Sequence, residues 1–289
     1  MRAFKFTLIA FLLVAFCSQA FTQVKTKSKK LKPPQLTVEL LGSYYLPMQE
    51  TKGTLAEFFN FTNYGTEKGL GGEINIKLAV DKKKGSIRPY LTLGYAEFDN
   101  TDNNVAFIGP NVIDSGYPNK SGQFKTVSGS SKFSLRNARA GLGIEYAFTQ
   151  ADKSGRFIPF IGLDLFDLNI IWGTYKQLPD TVIGGSGAPL QEITYTMNSA
   201  TRFGFGVGVG FQYRLANAFG LHLGAKYKMA NIIGKESVAS KTKAEDVNQQ
   251  NKFNLLDKAD VTLSNLLSKD RNISYIEISF GFAFYVGKK

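Results

Sequence analysis

The chain has 289 residues, of which 43% are hydrophobic, 13% aromatic and 20% charged, with a formal net charge of +12. This composition and a mean hydropathy of -0.12 exclude a disordered chain, and at roughly 150 residues per domain the length allows two domains or one β-barrel. One Cys and one His exclude an internal disulfide framework, most metal sites and most imidazole catalysis.

Residues 1–20 carry Arg2 and Lys5, then the apolar run Phe6–Phe16, then Ser18, Gln19 and Ala20. This three-part pattern predicts a secretory signal peptide, because the apolar run is too short to span a bilayer as a helix. Cleavage is expected after Ala20, with cleavage after Thr22, leaving Gln23 first, as the alternative. Lipid attachment at Cys17 would need a small residue where Phe16 stands, so the thiol is expected to leave with the signal. Loss of Arg2 and Lys5 takes the formal charge from +12 to +10. Residues 21–35 then form a basic leader, with Lys25, Lys27, Lys29, Lys30 and Lys32 ahead of Pro33 and Pro34. A segment so rich in lysine is expected to be flexible and solvated, and suits anionic lipid or an acidic partner.

From residue 36 onward the recurring signal is period two. Arg202–Arg214 is the clearest case: Phe203, Phe205, Val207, Val209, Phe211 and Tyr213 alternate with arginine, glycine and glutamine. A strand is the regular structure that separates these two sets. The same alternation marks 36–45, 70–80, 89–98, 138–148, 157–172, 219–230 and 273–286, which predicts eight strands. In 157–172 the phase slips near Asp167, a sign of a bulge or of a strand rising above a membrane. A soluble sandwich would bury the apolar face and a membrane barrel would turn it to lipid. The connections decide between them. They run long, short, long, short, long, short, long, at 46–69, 81–86, 99–132, 149–156, 173–200, 215–218 and 231–271. Short turns on one side and long loops on the other are the pattern of a barrel in an outer membrane, with both termini periplasmic.

The inward positions carry charges of both signs. The expected luminal network comprises Glu39, Glu73, Lys77, Arg88, Arg139, Glu145, Asp164, Arg202, Lys226, Lys228 and Glu277, with Arg214 also on the inner face. An eight-stranded barrel is only wide enough for side chains to fill, so these charges are expected to pair. Gly204, Gly206, Gly208 and Gly210 keep a spacing of two and do not form a phosphate loop; they are expected to leave room for bulky neighbours. His222 lies three residues after the 215–218 turn, at the short-turn end, and is expected to make a hydrogen bond in the lumen. Asp99–Asn104 resembles half a calcium loop without its Gly and Glu, so a polar loop tip is expected. Lys252–Ser268 has apolar residues near helical spacing, which predicts a short surface helix capping the barrel.

These features resemble the small outer-membrane β-barrel superfamily of the OmpA and OmpX type, in the variety found in Bacteroidetes-type Gram-negative bacteria, over about residues 36–289. Ser279–Tyr285 is similar to the C-terminal signal read by the barrel-assembly machinery, with Phe280, Gly281, Phe282 and Phe284 as its core; the chain departs from it in ending Val286-Gly287-Lys288-Lys289. The resemblance implies an all-β, eight-stranded antiparallel up-and-down transmembrane barrel, in contact with outer-membrane lipid and, during biogenesis, with the assembly machinery. It does not imply one function, because its members do different jobs. A non-enzymatic structural or binding role through the external loops is the first expectation. The alternatives are a narrow gated pore for small solutes and an accessory subunit of an envelope secretion or motility machine. No catalytic constellation, cofactor, metal or nucleic-acid site is expected.

Overall fold

The computed structural model describes residues 31–55, 57, 62–81, 86–108, 125–149, 154–180, 192–237, 252–259 and 269–286. The expected signal peptide and most of the expected basic leader lie outside the described residues. Ten strands follow in order: β1 Leu36–Met48, β2 Lys68–Leu78, β3 Ile87–Asp102, β4 Val105–Ile108, β5 Lys125–Ala147, β6 Phe157–Pro179, β7 Ile193–Arg214, β8 Phe219–Ile233, β9 Lys252–Phe253 and β10 Ser274–Val286. Eight of them form a closed antiparallel ring, β1-β2-β3-β5-β6-β7-β8-β10, and β10 returns to β1 over Leu36–Met48. The short β4 extends the β3 side of β5, and β9 pairs parallel with β7. The short connections, the start of β1 and the end of β10 share one end of the ring.

Around the ring the outward positions are apolar and exposed, among them Leu40, Ile74, Leu93, Ile144, Leu163, Val209, Leu223 and Ile278. The inward positions are polar and buried: Glu145 is 2% exposed and Lys226 8%. A soluble barrel of this polarity would hold far more apolar surface in water than any monomer tolerates. It is the arrangement of a barrel that crosses a membrane. Outward rings bound the apolar band. Near the short turns Tyr146 meets Phe148 at 5.0 Å and Phe157 meets Phe211 at 5.3 Å; on the other side Tyr95 meets Trp172 at 6.1 Å. Phe280 and Phe284 of the expected assembly signal lie exposed in this band, Phe282 is half-buried, and Gly281 sits on the inner face.

Beyond Tyr95 and Trp172 the polarity inverts. Phe98, Phe133, Leu135, Ile171, Tyr175 and Met197 now point inward into a packed core, while Lys132, Arg136, Thr174 and Lys176 face out. Two departures from the sequence reading follow, and one expectation, the bulge near Asp167, is met. The described residues of the expected loop 99–132 are mostly strand, with β3 reaching Asp102, β4 following and β5 beginning at Lys125, and those of 173–200 belong mostly to β6, up to Pro179, and to β7, from Ile193. The phase slip near Asp167 is a bulge: the register of β6 against β7 jumps between Asp164 and Asp167. The helix expected over Lys252–Ser268 is not formed in its described part, where Lys252 and Phe253 pair with Thr196 and Met197 and Asn254–Asp257 continue without helix. β8 leaves the upper edge of β7 unpaired beyond Phe203, and that free ladder recruits an extended segment.

The end of the leader is tied down, which the expectation of a flexible leader did not include. The Leu31 amide donates to the Ser154 carbonyl at 3.0 Å, and the Lys32 carbonyl accepts from Arg214 Nη1 at 2.6 Å. Pro34 is buried against the barrel.

A charge placed on the outer face tests the membrane reading. Val209, 55% exposed in the middle of β7, substituted as Val209→Arg should cost about 2–4 kcal/mol of unfolding free energy in lipid vesicles. Urea titration followed by fluorescence of the single tryptophan, Trp172, measures it. A surface position in water would change by no more than about 0.5 kcal/mol.

Candidate functional site

The lumen is filled by two layers of ion pairs and, above them, a plug of loop residues. In the layer nearest the short turns, Lys77 Nζ lies 2.9 Å from Glu39 Oε2 and 2.5 Å from Glu145 Oε2. Arg88 Nη1 reaches Glu145 Oε1 at 3.4 Å and donates to Gln212 Oε1 at 3.1 Å. Gln212 Nε2 and His222 Nδ1 meet Glu39 Oε1 at 2.5 and 2.9 Å. Asn75 Nδ2 bridges upward, donating to Glu39 Oε2 at 3.1 Å and to Glu73 Oε1 at 2.9 Å.

In the second layer Arg139 Nη2 holds both Glu73 and, at 2.8 Å, Glu277 Oε2. Lys226 Nζ donates to Glu73 Oε1 at 3.0 Å, and Ser43 Oγ to Glu277 Oε1 at 2.7 Å. Lys228 Nζ pairs with Asp164 and, at 2.8 Å, with Asp167 Oδ2, while the Tyr90 hydroxyl donates to Asp164. Glycine makes the room: a Cβ on Gly206 would stand 2.7 Å from Asp164 Oδ2 and 2.8 Å from Lys228 Cδ.

Above the second layer the loops fold inward. Asp257 accepts from Arg202 Nε at 2.9 Å and from Arg202 Nη2 at 3.0 Å, and Glu236 approaches the same guanidinium at 3.3 Å. Asn231 Nδ2 donates to Asp257 Oδ2 at 2.9 Å and to the Arg271 carbonyl at 3.0 Å. Arg271 donates to the carbonyls of Asn63 (2.9 Å) and Leu256 and lies 4.4 Å from the centre of the Tyr64 ring. Burial draws the Arg271 pKa below its ordinary value, with Tyr64 and Asp257 opposing, and burial pushes the Tyr64 hydroxyl upward. Leu55, Tyr64, Phe253, Leu255 and Leu256 fill the remaining space.

The expected luminal charges therefore all point inward, but they do not form one network. Arg202 belongs to the plug and shares no partner with the two layers below. The sequence reading missed Asp167, whose inward direction follows from the bulge, and Asp257 and Arg271, which no strand pattern could reveal because they lie in connections. Arg214 works at the short-turn rim, against the Lys32 and Asn217 carbonyls and 4.8 Å from the Tyr285 ring. The calcium-like Asp99–Asn104 is a strand end: Asp99 accepts from Ser134 Oγ at 2.5 Å and Asp102 Oδ1 from the Asn104 amide at 2.9 Å. No group of metal-ligating side chains occurs among the described residues.

One arrangement has the order of a hydrolytic triad. Glu39 holds His222 Nδ1, and His222 Nε2 faces Ser279 Oγ at 3.5 Å. All three side chains are at most 1% exposed, and the Phe160 ring lies 5.2 Å from the imidazole. Acyl transfer needs a place for the substrate carbonyl beside the nucleophile, and this packed interior provides none. The geometry is that of a buried acceptor satisfied from several sides.

Removing a shared cation should be far more damaging than removing a surface one. Arg139→Met leaves Glu73 and Glu277 without their common partner and should cost about 3–5 kcal/mol. Adding Glu277→Gln should return part of that loss, because one unpaired charge is then removed. Urea unfolding in vesicles measures both.

No protein-family model and no curated protein matches the chain. Solved structures to which it is similar include Neisserial surface protein A, at 15% identity and a TM-score of 0.40, covering 87% of this chain and 97% of that one. The outer membrane protein OprG from Pseudomonas aeruginosa is 10% identical with a TM-score of 0.39, covering 90% and 99%. The attachment invasion locus protein Ail of Yersinia pestis, solved in complex with the heparin analogue sucrose octasulfate, is 8% identical with a TM-score of 0.31, covering 89% and 99%.

Proposed function

We propose that the chain is a non-enzymatic barrel of the outer membrane, with its short turns and both termini in the periplasm. Its role is to present a structural or partner-binding surface at the long-loop end. The observation that carries this reading is the filling of the lumen: the described inward charges are buried and paired in two layers, with Leu55, Tyr64, Phe253, Leu255 and Leu256 buried above them. A route for solutes would have to break Lys77–Glu145, Arg139–Glu277 and Arg202–Asp257 together, and each leaves a charge in a low-dielectric space. The walls formed by β5, β6 and β7 rise well past the apolar band and give the external loops a rigid base, which is where scaffolds of this kind place recognition.

Planar-bilayer recording tests the closed lumen. The expected result is no conductance above leak; discrete steps of constant size would favour the narrow gated pore. A partner is sought by crosslinking in native envelopes. Cysteines placed on the outward rim at Thr174 or Thr196 should capture the same protein, while one at the short-turn end, at Asn217, should not. Recovery of an envelope machine through the rim positions would make the chain its accessory subunit.

Loosening the plug should show first in the loops. Arg271→Ala removes two carbonyl contacts and the contact with Tyr64. It should raise the rate of proteolysis between residues 235 and 273 severalfold while the barrel remains resistant, which limited digestion of reconstituted protein measures.

A further inference from the structure

Most glycines in the described strands are forced on the chain by their neighbours. A Cβ on Gly94 would stand 2.6 Å from Arg139 Nε, one on Gly173 2.8 Å from the Ser134 carbonyl oxygen, and one on Gly72 2.6 Å from the Leu41 carbonyl oxygen. Gly42 is different. It lies in the middle of β1, its backbone is not left-handed, and the nearest atom to a Cβ there would be the Phe280 carbonyl oxygen at 3.9 Å. Nothing within the chain asks for glycine at this place. Inside a strand, glycine costs conformational entropy and packs nothing; it occurs at a bulge, at a tight bend, or where another molecule comes close to the backbone. β1 pairs with β10 and with β2 without a register shift on either side of Gly42, and these unbroken ladders speak for the close approach.

The wall outside that position is hollow. Gly42 is exposed on the outer face, and across the ladder from it stands Gly72 on β2. Two neighbouring strands therefore carry no side chain at one level. The result is an open depression of about 610 Å³, with Leu40, Ile74, Leu93 and Tyr95 around it. Leu40, Ile74 and Leu93 are exposed members of the apolar band. Tyr95 brings its ring, while its hydroxyl donates to Glu97 Oε2 at 3.1 Å. The hollow thus offers apolar side chains around a floor of glycine backbone whose polar groups are engaged in the sheet.

We propose that this hollow seats one acyl chain of a membrane lipid, laid against the floor of Gly42 and Gly72. The seat lies inside the band that faces lipid, so hydrocarbon is what reaches it. Within hydrocarbon there is no hydrophobic drive, and association rests on close contact; an unfilled hollow forfeits those contacts for every group that lines it. Shape favours an acyl chain over a second copy of the barrel. Neighbouring strands are about 4.8 Å apart, so a floor two strands wide admits a slim chain. Another barrel would approach with its own convex wall, and the side chains around the hollow would hold that wall off the glycine floor.

The test uses the mature chain folded in phosphatidylcholine vesicles that contain a trace of phosphatidylcholine with a diazirine midway along one acyl chain. After irradiation, lipid adducts are mapped by mass spectrometry of peptides. The expected result is labelling at 40–44 and 70–76 severalfold above that around Val209 and Leu223, which are also exposed on the outer face. Gly42→Leu fills the hollow and should bring its labelling down to that common level, with Gly42→Ala between. Ala225→Leu adds bulk to the exposed outer face of β8 and should change nothing at the hollow. Should Gly42→Leu fail to fold, Gly42→Ala carries the comparison. Even labelling around the wild-type barrel overturns the proposal, as does labelling that the Gly42 variants leave unchanged or that Ala225→Leu also removes. A glutaraldehyde-crosslinked dimer that Gly42→Leu abolishes, with this face shielded from label, assigns the hollow to a second copy and overturns it too. Each sample is also run boiled and unboiled on a gel. Loss of the folded-barrel shift in the wild type would overturn the barrel reading on which the seat rests, whereas an intact shift with even labelling overturns only the seat.

Discussion

Opposite charges paired across a bore that side chains fill tie the walls of this molecule together. A soluble domain gathers around apolar side chains that leave water; here those side chains already face lipid and give the opposite walls no reason to approach. The ion pairs supply it. Arg139 on β5 reaches Glu73 on β2 and Glu277 on β10, Lys77 on β2 reaches Glu145 on β5, and Lys228 on β8 reaches Asp164 and Asp167 on β6. None of these strand pairs is adjacent in the ring except through intervening strands, so each contact ties together walls that the backbone ladder leaves independent. Six carboxylates, Glu39, Glu73, Glu145, Asp164, Asp167 and Glu277, meet five cations, Lys77, Arg88, Arg139, Lys226 and Lys228. His222 Nδ1 lies 2.9 Å from Glu39 Oε1. Because a buried charge without a partner costs several kcal/mol, this matching constrains every inward position at once.

The same strands serve two solvents. Through the apolar band, β5 and β6 show grease outside and charge inside; beyond Trp172 they show Lys132, Arg136 and Lys176 outside and Phe133, Leu135 and Tyr175 inside. The sign of the alternation changes where lipid ends, since there the outer face meets water and the inner face must find its own core. This inversion limited what the sequence could disclose. The period-two pattern was legible wherever one sign persisted, and the eight membrane strands stand where the alternation placed them. Above the band the apolar residues change faces, so the sum over a window cancels and β5, β6 and β7 read as loops.

The site shows the same division. Residues whose direction follows from strand phase, such as Glu73, Arg139 and Lys226, could be assigned to the lumen without coordinates. Asp167 could not, because a bulge between Leu165 and Phe166 resets the phase. Asp257 and Arg271 come from connections with no periodicity, and only the tertiary fold brings them to Arg202 and Tyr64. Arg202 was legible as inward but not as part of the plug, since direction alone does not give height within the barrel or the identity of the loop that descends onto it.

The lower wall, made by β8, β10, β1 and β2, stops near Ile233, Ser274, Met48 and Lys68, while β5, β6 and β7 continue past it. The connections on the low side therefore lean inward against the tall wall, and β9 adds to the free upper edge of β7. The described loop residues of the low side pack above the charge layers, through Tyr64, Leu255, Asp257 and Arg271. Thr174, Lys176 and Thr196 stay on the outward rim of the tall wall. The raised sheet edge has its own core behind it, in Phe133, Leu135, Tyr175 and Met197. That separates the outward rim from the charge matching below, so either could change in sequence without disturbing the other.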